Sequence, residues 1–290
     1  MMNRDVWQTA ATGTDARSVF PLLAPVRIGF WRNSGAPDGA TEMPAGDVAV
    51  GAVHVWLAGA ETTASLIDDV PAAERARFDA LRDPRERVRR LAAHGLLRHV
   101  LGRYTGTRPS SLRFATDPLG RPSLEPPHDG LAFSLSHGGE WTAIAVVAAE
   151  RARVGIDVEP LADLADLDAV IDATFAPDVA AELRRTAPAR RRRLFFERWT
   201  AQEAALKAAG RGFLGGCPRL AGLTGDARSS RRIVELSGIG HAWLVGLAPA
   251  ADHVGTLAVL PAAPPRRRFA GLERVLGHGW WTRAAAHLRA

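Results

Sequence analysis

Carboxylates and cations at regular spacing are the residues of this chain best suited to do chemistry. In Val154-Gly155-Ile156-Asp157-Val158-Glu159 the alternation of a β-strand sets Asp157 and Glu159 side by side on one face and Ile156 and Val158 on the other. Adjacent carboxylates repel each other unless water solvates them, they share a proton, or a cation joins them. Among cations Mg²⁺ is the natural choice, a hard ion that takes carboxylate oxygens and keeps positions open for phosphate. A polar strand face in water is the plainer alternative.

A second group lies in Phe195-Phe196-Glu197-Arg198-Trp199-Thr200-Ala201-Gln202-Glu203-Ala204-Ala205-Leu206-Lys207. Trp199, Glu203 and Lys207 are successive i, i+4 neighbours and share one helix face. Lys207 is the single lysine among 37 basic residues. An arginine would serve a surface pair with Glu203 equally well, so a retained lysine points to a need for a compact point charge. The third group is Ser136 and His137, followed by Gly138 and Gly139. Neighbours in a strand face opposite ways and no G-x-S-x-G surrounds the serine, so the pair is not a nucleophile with its base. It reads as a donor pair for an anion, with glycines that let a ligand approach the backbone.

The elements that must position these groups follow from periodicity and from breakers. Alternation predicts strands over 48–57, 111–115, 131–136, 142–149 and 154–159, then 232–236, 242–247 and 254–260. Pro71 and Pro84 open helical stretches, the second strongly basic on one face, and further helices are predicted over 164–173, 177–186 and 189–209. Strands and helices recur in both halves about a junction near Glu150–Arg153, which predicts an α+β fold. The domains expected are a loosely ordered extension over 1–45, an N-terminal α+β lobe over 46–150, a C-terminal α+β lobe over 151–262 with the metal and catalytic motifs, and a basic tail over 263–290.

Composition narrows the function classes. A single cysteine, Cys217, excludes an internal disulfide and fits a reducing cytoplasm. No apolar run of about 18 residues occurs and the first segment lacks the build of a signal peptide, so a soluble, unexported chain is expected. A net charge of +6 would attract an anionic ligand or an acidic protein surface. Gly210-Arg211-Gly212-Phe213-Leu214-Gly215 matches G-x-G-x-x-G but follows a helix instead of a strand, so it reads as a helix-terminating loop. No P-loop pattern is present.

Taken in order, Gly155-Ile156-Asp157-Val158-Glu159 and Trp199 to Lys207 resemble the two signature motifs of the 4′-phosphopantetheinyl transferase superfamily. Leu119-Gly120-Arg121-Pro122, Phe133-Ser134-Leu135-Ser136-His137 and the basic helix around Arg89 resemble upstream motifs of its surfactin-synthetase-type branch. The resemblance implies a monomer of two similar α+β lobes related by a pseudo-twofold axis, with the active site in the cleft between them. It implies that Asp157, Glu159 and Glu203 hold Mg²⁺ on the pyrophosphate of coenzyme A, with Lys207 against the same phosphates. Asp157 and Lys207 thereby join the coenzyme A-binding residues. Arg89, Gly120, Arg121, Pro122, Ser136 and His137 would hold the adenosine 3′-phosphate end.

The implied reaction moves 4′-phosphopantetheine from coenzyme A to a serine of an apo acyl or peptidyl carrier protein and releases adenosine 3′,5′-bisphosphate. Glu203 is the candidate base, and neither nucleic acid nor membrane is an expected partner. Two positions depart from the pattern. Gln202 stands where the family often has lysine, and Gly138 replaces a frequent small hydroxyl residue. The rivals are a Mg²⁺-dependent phosphodiesterase acting on nucleotides and a non-catalytic binder of coenzyme A or carrier protein.

Overall fold

The computed structural model describes residues 26–30, 48, 52–211, 219–224, 231–236 and 238–262. The fold mixes helix and sheet, as predicted. A four-stranded sheet in the order β1-β2-β6-β5 combines β1 (Val26–Phe30), β2 (Val53–Gly59), β5 (Leu131–Gly138) and β6 (Trp141–Ala148). A second, ordered β7-β10-β9-β8, combines β7 (Ala152–Pro160), β8 (Arg231–Leu236), β9 (Gly240–Leu247) and β10 (His253–Pro261). Between β2 and β5 run a chain of short helical turns, the helix α1 (Pro84–Thr105) and a small hairpin of β3 (Phe114–Thr116) and β4 (Pro122–Leu124). Helices α2 (Leu167–Thr174), α3 (Pro177–Arg185) and α4 (Pro188–Ala209) separate β7 from β8.

The two halves share an order of connection. In each, a first strand leads through a 22-residue helix to a hairpin whose last strand returns antiparallel beside the first, β6 on β2 and β10 on β7. Both long helices carry proline at their first turn, where its missing N–H is no loss, and both end on a left-handed glycine, Gly106 and Gly210. Asp83 also caps α1 by accepting a hydrogen bond from the Arg85 N–H.

Packing follows the strand alternation. Val53, Val55, Leu57, Ala143 and Ala145 of the first sheet share one apolar cluster with Val154, Ile156, Val158, Val245 and Leu257 of the second, so the sheets bury their inner faces together. Leu96, Leu97, Val100 and Leu101 of α1 cover the outer face of the first sheet, against Trp56, Phe133 and Ile144. Helices α2 to α4 cover the outer face of the second. Each fully buried Val, Leu or Ile contributes about 1.5–3 kcal/mol relative to exposure.

Several boundaries differ from expectation. Val26–Phe30, read as part of a loose extension, forms a strand parallel to β2; Val26, Ile28 and Phe30 alternate with Arg27 and Gly29 in a short strand pattern that the Ala-, Gly- and Pro-rich composition around it masks. The strand expected at 111–115 begins at Phe114, because Pro109 opens a turn of 3₁₀-helix through Ser111. The helical stretch from Pro71 breaks into the short pieces Ala72–Arg75 and Ala76–Phe78. Apart from Val26–Phe30, the extension lies outside the described residues, as does the basic tail over 263–290. Among the described residues no helix is long and apolar enough to cross a membrane.

Candidate active site

The site forms where β7 lies directly on α4. A Cβ on Gly155 would stand 1.9 Å from the Ala204 carbonyl oxygen and 2.5 Å from the Ala208 nitrogen, so only glycine permits this approach. The contact brings the Lys207 ammonium to the strand, where it donates to Asp157 Oδ1 at 2.7 Å and to the Ile156 carbonyl at 3.1 Å. Asp157 is 4% exposed, which removes the solvated-strand reading for this carboxylate. Lys207 is likewise no surface partner of Glu203; its ion pair is with a residue 50 positions earlier.

Asp157 and Glu159 are poorly neutralised. Asp157 Oδ1 also accepts from the Ser136 hydroxyl at 2.9 Å, whereas Oδ2 is buried with no partner. Burial pushes the Asp157 carboxyl above its ordinary range, against the opposing charge and hydrogen bond of Lys207 and the hydrogen bond of Ser136. Glu159 is pushed up to about 7, first by burial and then by the charge of Asp157, with Glu203 adding to the effect. Its Oε1 accepts a long hydrogen bond of 3.4 Å from Trp199 Nε1, which opposes the rise. Glu203 is itself buried, 5% exposed.

Among the described residues no three His, Cys, Asp or Glu side chains are gathered into a ready-made metal cage. The donor chemistry nevertheless suits a hard cation. A buried carboxylate oxygen lacks a partner, and the Glu159 carboxyl feels the charges of Asp157 and Glu203 against that of Lys207.

The remaining residues of the expected site divide into two sets. His137 points away from Ser136 toward the start of α1, and burial first, then Arg90, Lys207 and His94, hold its imidazole below the usual value while Glu86 opposes them. Arg89 pairs with Glu140 at 2.5 Å, beside the turn that follows His137. Arg121 lies in the turn of the β3–β4 hairpin, where Gly120 takes a positive φ of 85° and Pro122 starts β4. Its guanidinium reaches the Ala208 carbonyl at 3.5 Å, at the same end of α4 as Lys207. Arg90 and His94 are neighbours of His137 that the motifs do not contain. The i, i+4, i+8 spacing of Glu86, Arg90 and His94 is the signal that could have found them.

Three local readings change. Ser136 gives its one hydroxyl proton to Asp157 and accepts from the Val158 N–H at 3.4 Å, so it faces the protein's own carboxylate where an external anion was expected. Gly138 makes room for the protein's own backbone: a Cβ there would stand 2.2 Å from the Val158 carbonyl oxygen. Gln202, a departure from the family pattern, is fully buried on the core side of α4 and joins the Thr174 carbonyl to the Leu220 N–H. Gly210 caps α4, in accord with the terminating-loop reading of its glycine-rich stretch; 212–218 lie outside the described residues. A cavity of about 500 Å³ lined by Tyr104, His128 and Glu150 lies at the other end of α1 and includes none of these residues.

Residues 153–256, which contain β7 and α4, match the sequence profile of the 4′-phosphopantetheinyl transferase superfamily. The chain is 33% identical over 166 residues to the 4′-phosphopantetheinyl transferase HetI of Nostoc sp., covering 55% of this chain and 69% of the relative. It is 32% identical over 165 residues to the 4′-phosphopantetheinyl transferase psf-1 of Bacillus pumilus, covering 57% and 66%. A phosphopantetheinyl transferase of Thraustochytrium sp. is 28% identical over 195 residues, covering 63% and 67%.

Proposed function

Because the chain belongs to the 4′-phosphopantetheinyl transferase superfamily, we propose that it transfers 4′-phosphopantetheine from coenzyme A to a serine of an apo acyl or peptidyl carrier protein. The observation that carries this reading is the buried Asp157, with one oxygen held by Lys207 and the other without a partner, beside Glu159 and Glu203. Such an arrangement suits a bound cation and a phosphate better than it suits an empty core.

In the reaction the carrier serine oxygen forms a bond to the phosphorus next to the pantetheine arm. The bond from that phosphorus to the bridging oxygen breaks, adenosine 3′,5′-bisphosphate leaves with the electron pair, and the serine proton passes to a base. Mg²⁺ held by Asp157, Glu159 and Glu203 would neutralise the charge that builds on the phosphate oxygens. Lys207 supplies a second, fixed positive charge at the same place. Glu203, on the helix face shared with Lys207, is the candidate base for the serine proton. Arg89 and Arg121 would present positive charge, His137 a ring N–H, and the turn at Gly120 and Pro122 its backbone, to the adenosine 3′-phosphate end. The repeated order of connection supports two lobes related by a pseudo-twofold axis; coenzyme A would lie in the cleft between them, and the enzyme would act as a cytoplasmic monomer.

The test is to incubate the purified chain with coenzyme A, Mg²⁺ and a panel of apo-carriers and to weigh each carrier by mass spectrometry. A mass gain equal to phosphopantetheine on the carrier serine, abolished by EDTA, is expected. Release of free phosphopantetheine with every carrier unmodified would overturn the reading in favour of a phosphodiesterase.

A further inference from the structure

Strands β5 and β7 are the edge strands of different sheets, yet they lie side by side without a backbone ladder between them. Two serines of β5 bridge the gap. Ser134 Oγ accepts from the Ile156 N–H at 3.1 Å, and Ser136 Oγ accepts from the Val158 N–H at 3.4 Å. The two residues differ in one respect. Ser136 also donates to Asp157 Oδ1 at 2.9 Å, whereas Ser134 reaches no carboxylate among the described residues.

We infer that Ser136 is a positioning residue for the cation site, holding the Asp157 carboxylate in the rotation that presents its second oxygen. The inference rests on the proposed function above. Rotation about the last bond of an aspartate is soft, with a broad two-fold profile. Here two donors from different elements meet on one oxygen, Ser136 from β5 and Lys207 from α4. Lys207 sits at the end of a flexible four-carbon stem and attracts either oxygen equally. The short serine side chain, fixed to a strand and tied to the Val158 amide, sets which oxygen is taken. Oδ2 is then left buried, unbonded and at a constant place. Groups that orient a ligating carboxylate commonly change metal affinity 10- to 100-fold when removed.

The test compares wild type, Ser136→Ala and Ser134→Ala in the full chain. Mn²⁺, standing in for Mg²⁺, is titrated with loss of the free-ion EPR signal as the readout; coenzyme A binding is measured by calorimetry in EDTA, and thermal midpoints are recorded. Ser136→Ala is expected to weaken Mn²⁺ binding about tenfold or more, with coenzyme A affinity in EDTA within about twofold of wild type. Ser134→Ala is expected to lower the thermal midpoint by a similar amount and to bind Mn²⁺ as wild type does. Wild-type Mn²⁺ affinity in Ser136→Ala would overturn the inference, and so would an equal loss in Ser134→Ala, which would mean that a loosened seam and not an oriented carboxylate is responsible. A parallel fall in coenzyme A affinity in EDTA would overturn it too, making Ser136 a direct ligand contact. Absence of Mn²⁺ binding by wild type would defeat the proposed function itself, a result distinct from all of these. Should Ser136→Ala fail to fold, Ser136→Cys, close in size with a weak donor, carries the same comparison.

Discussion

Replacing Lys207 with methionine keeps the stem and removes the charge, and its effect follows from the geometry. The ammonium lies 2.7 Å from Asp157 Oδ1, and the two side chains are 29% and 5% exposed. Removing one partner of a fully buried ion pair costs about 3–5 kcal/mol, and a hydrogen bond to a charged group contributes about 1.5–3 kcal/mol. Solvent reaches Lys207, so the lower range applies and we expect about 2 kcal/mol. For a domain of this size that lowers the thermal midpoint by about 4–8 °C.

The loss should also depend on pH in one direction. Burial already raises the Asp157 carboxyl, and Lys207 is the largest influence opposing it, so the variant's carboxyl rises further. An acid raised in the folded state keeps a proton that the unfolded chain has released. Its stability therefore falls as pH climbs from the ordinary carboxylate range through the raised value. The deficit of Lys207→Met should be small in the ordinary carboxylate range and grow as pH rises to 8, measured by thermal melts in EDTA across that range. Equal midpoints at pH 8, or a deficit independent of pH, would refute the reasoning. In single-turnover transfer at saturating coenzyme A, both Lys207→Met and Lys207→Arg should lose at least about tenfold in rate, equivalent to about 1.4 kcal/mol.

Glu159, with its carboxyl pushed up to about 7, should make cation binding compete with a proton. Mn²⁺ affinity is expected to be about tenfold weaker at pH 6 than at pH 8, checked by titration at both values, and a flat profile would count against Glu159 as a ligand. Gly155→Ala should lose about 3 kcal/mol in chemical denaturation, because the added methyl meets helix backbone that cannot rotate aside, and transfer should fall with it.

Much of the site is legible in the sequence because its chemistry is carried by short periodic stretches. Period-2 alternation puts Asp157 and Glu159 on one face of β7, and period-3.6 spacing puts Trp199, Glu203 and Lys207 on one face of α4. The scarcity of lysine singles out Lys207 without reference to any contact. What alternation cannot supply is the pairing of distant segments. The bond from Lys207 to Asp157 depends on a helix resting on a strand at Gly155, and a glycine reads the same whether it admits a ligand, a turn or a neighbouring backbone. The same limit explains Gly138 and Ser136, whose partners named above lie on β7 in the other half. Gln202 reads as a departure at the site because it adjoins Glu203 in sequence; one residue along a helix is a turn of about 100°, which takes its side chain into the core.

The apolar cluster shared by the two sheets also governs how the molecule comes apart. A cut between Glu150 and Arg153 would leave one piece with Val53, Val55 and Ala145 bare and the other with Val154, Ile156, Leu257 and Val259 uncovered, each beside an unpaired strand edge. Neither piece could keep such a face in water, so each would need a second copy of itself, or the other piece, to cover it. Within the intact chain the sheets therefore melt together, and heat or denaturant should take the protein through one cooperative transition in which the seam and both sheets are lost at once.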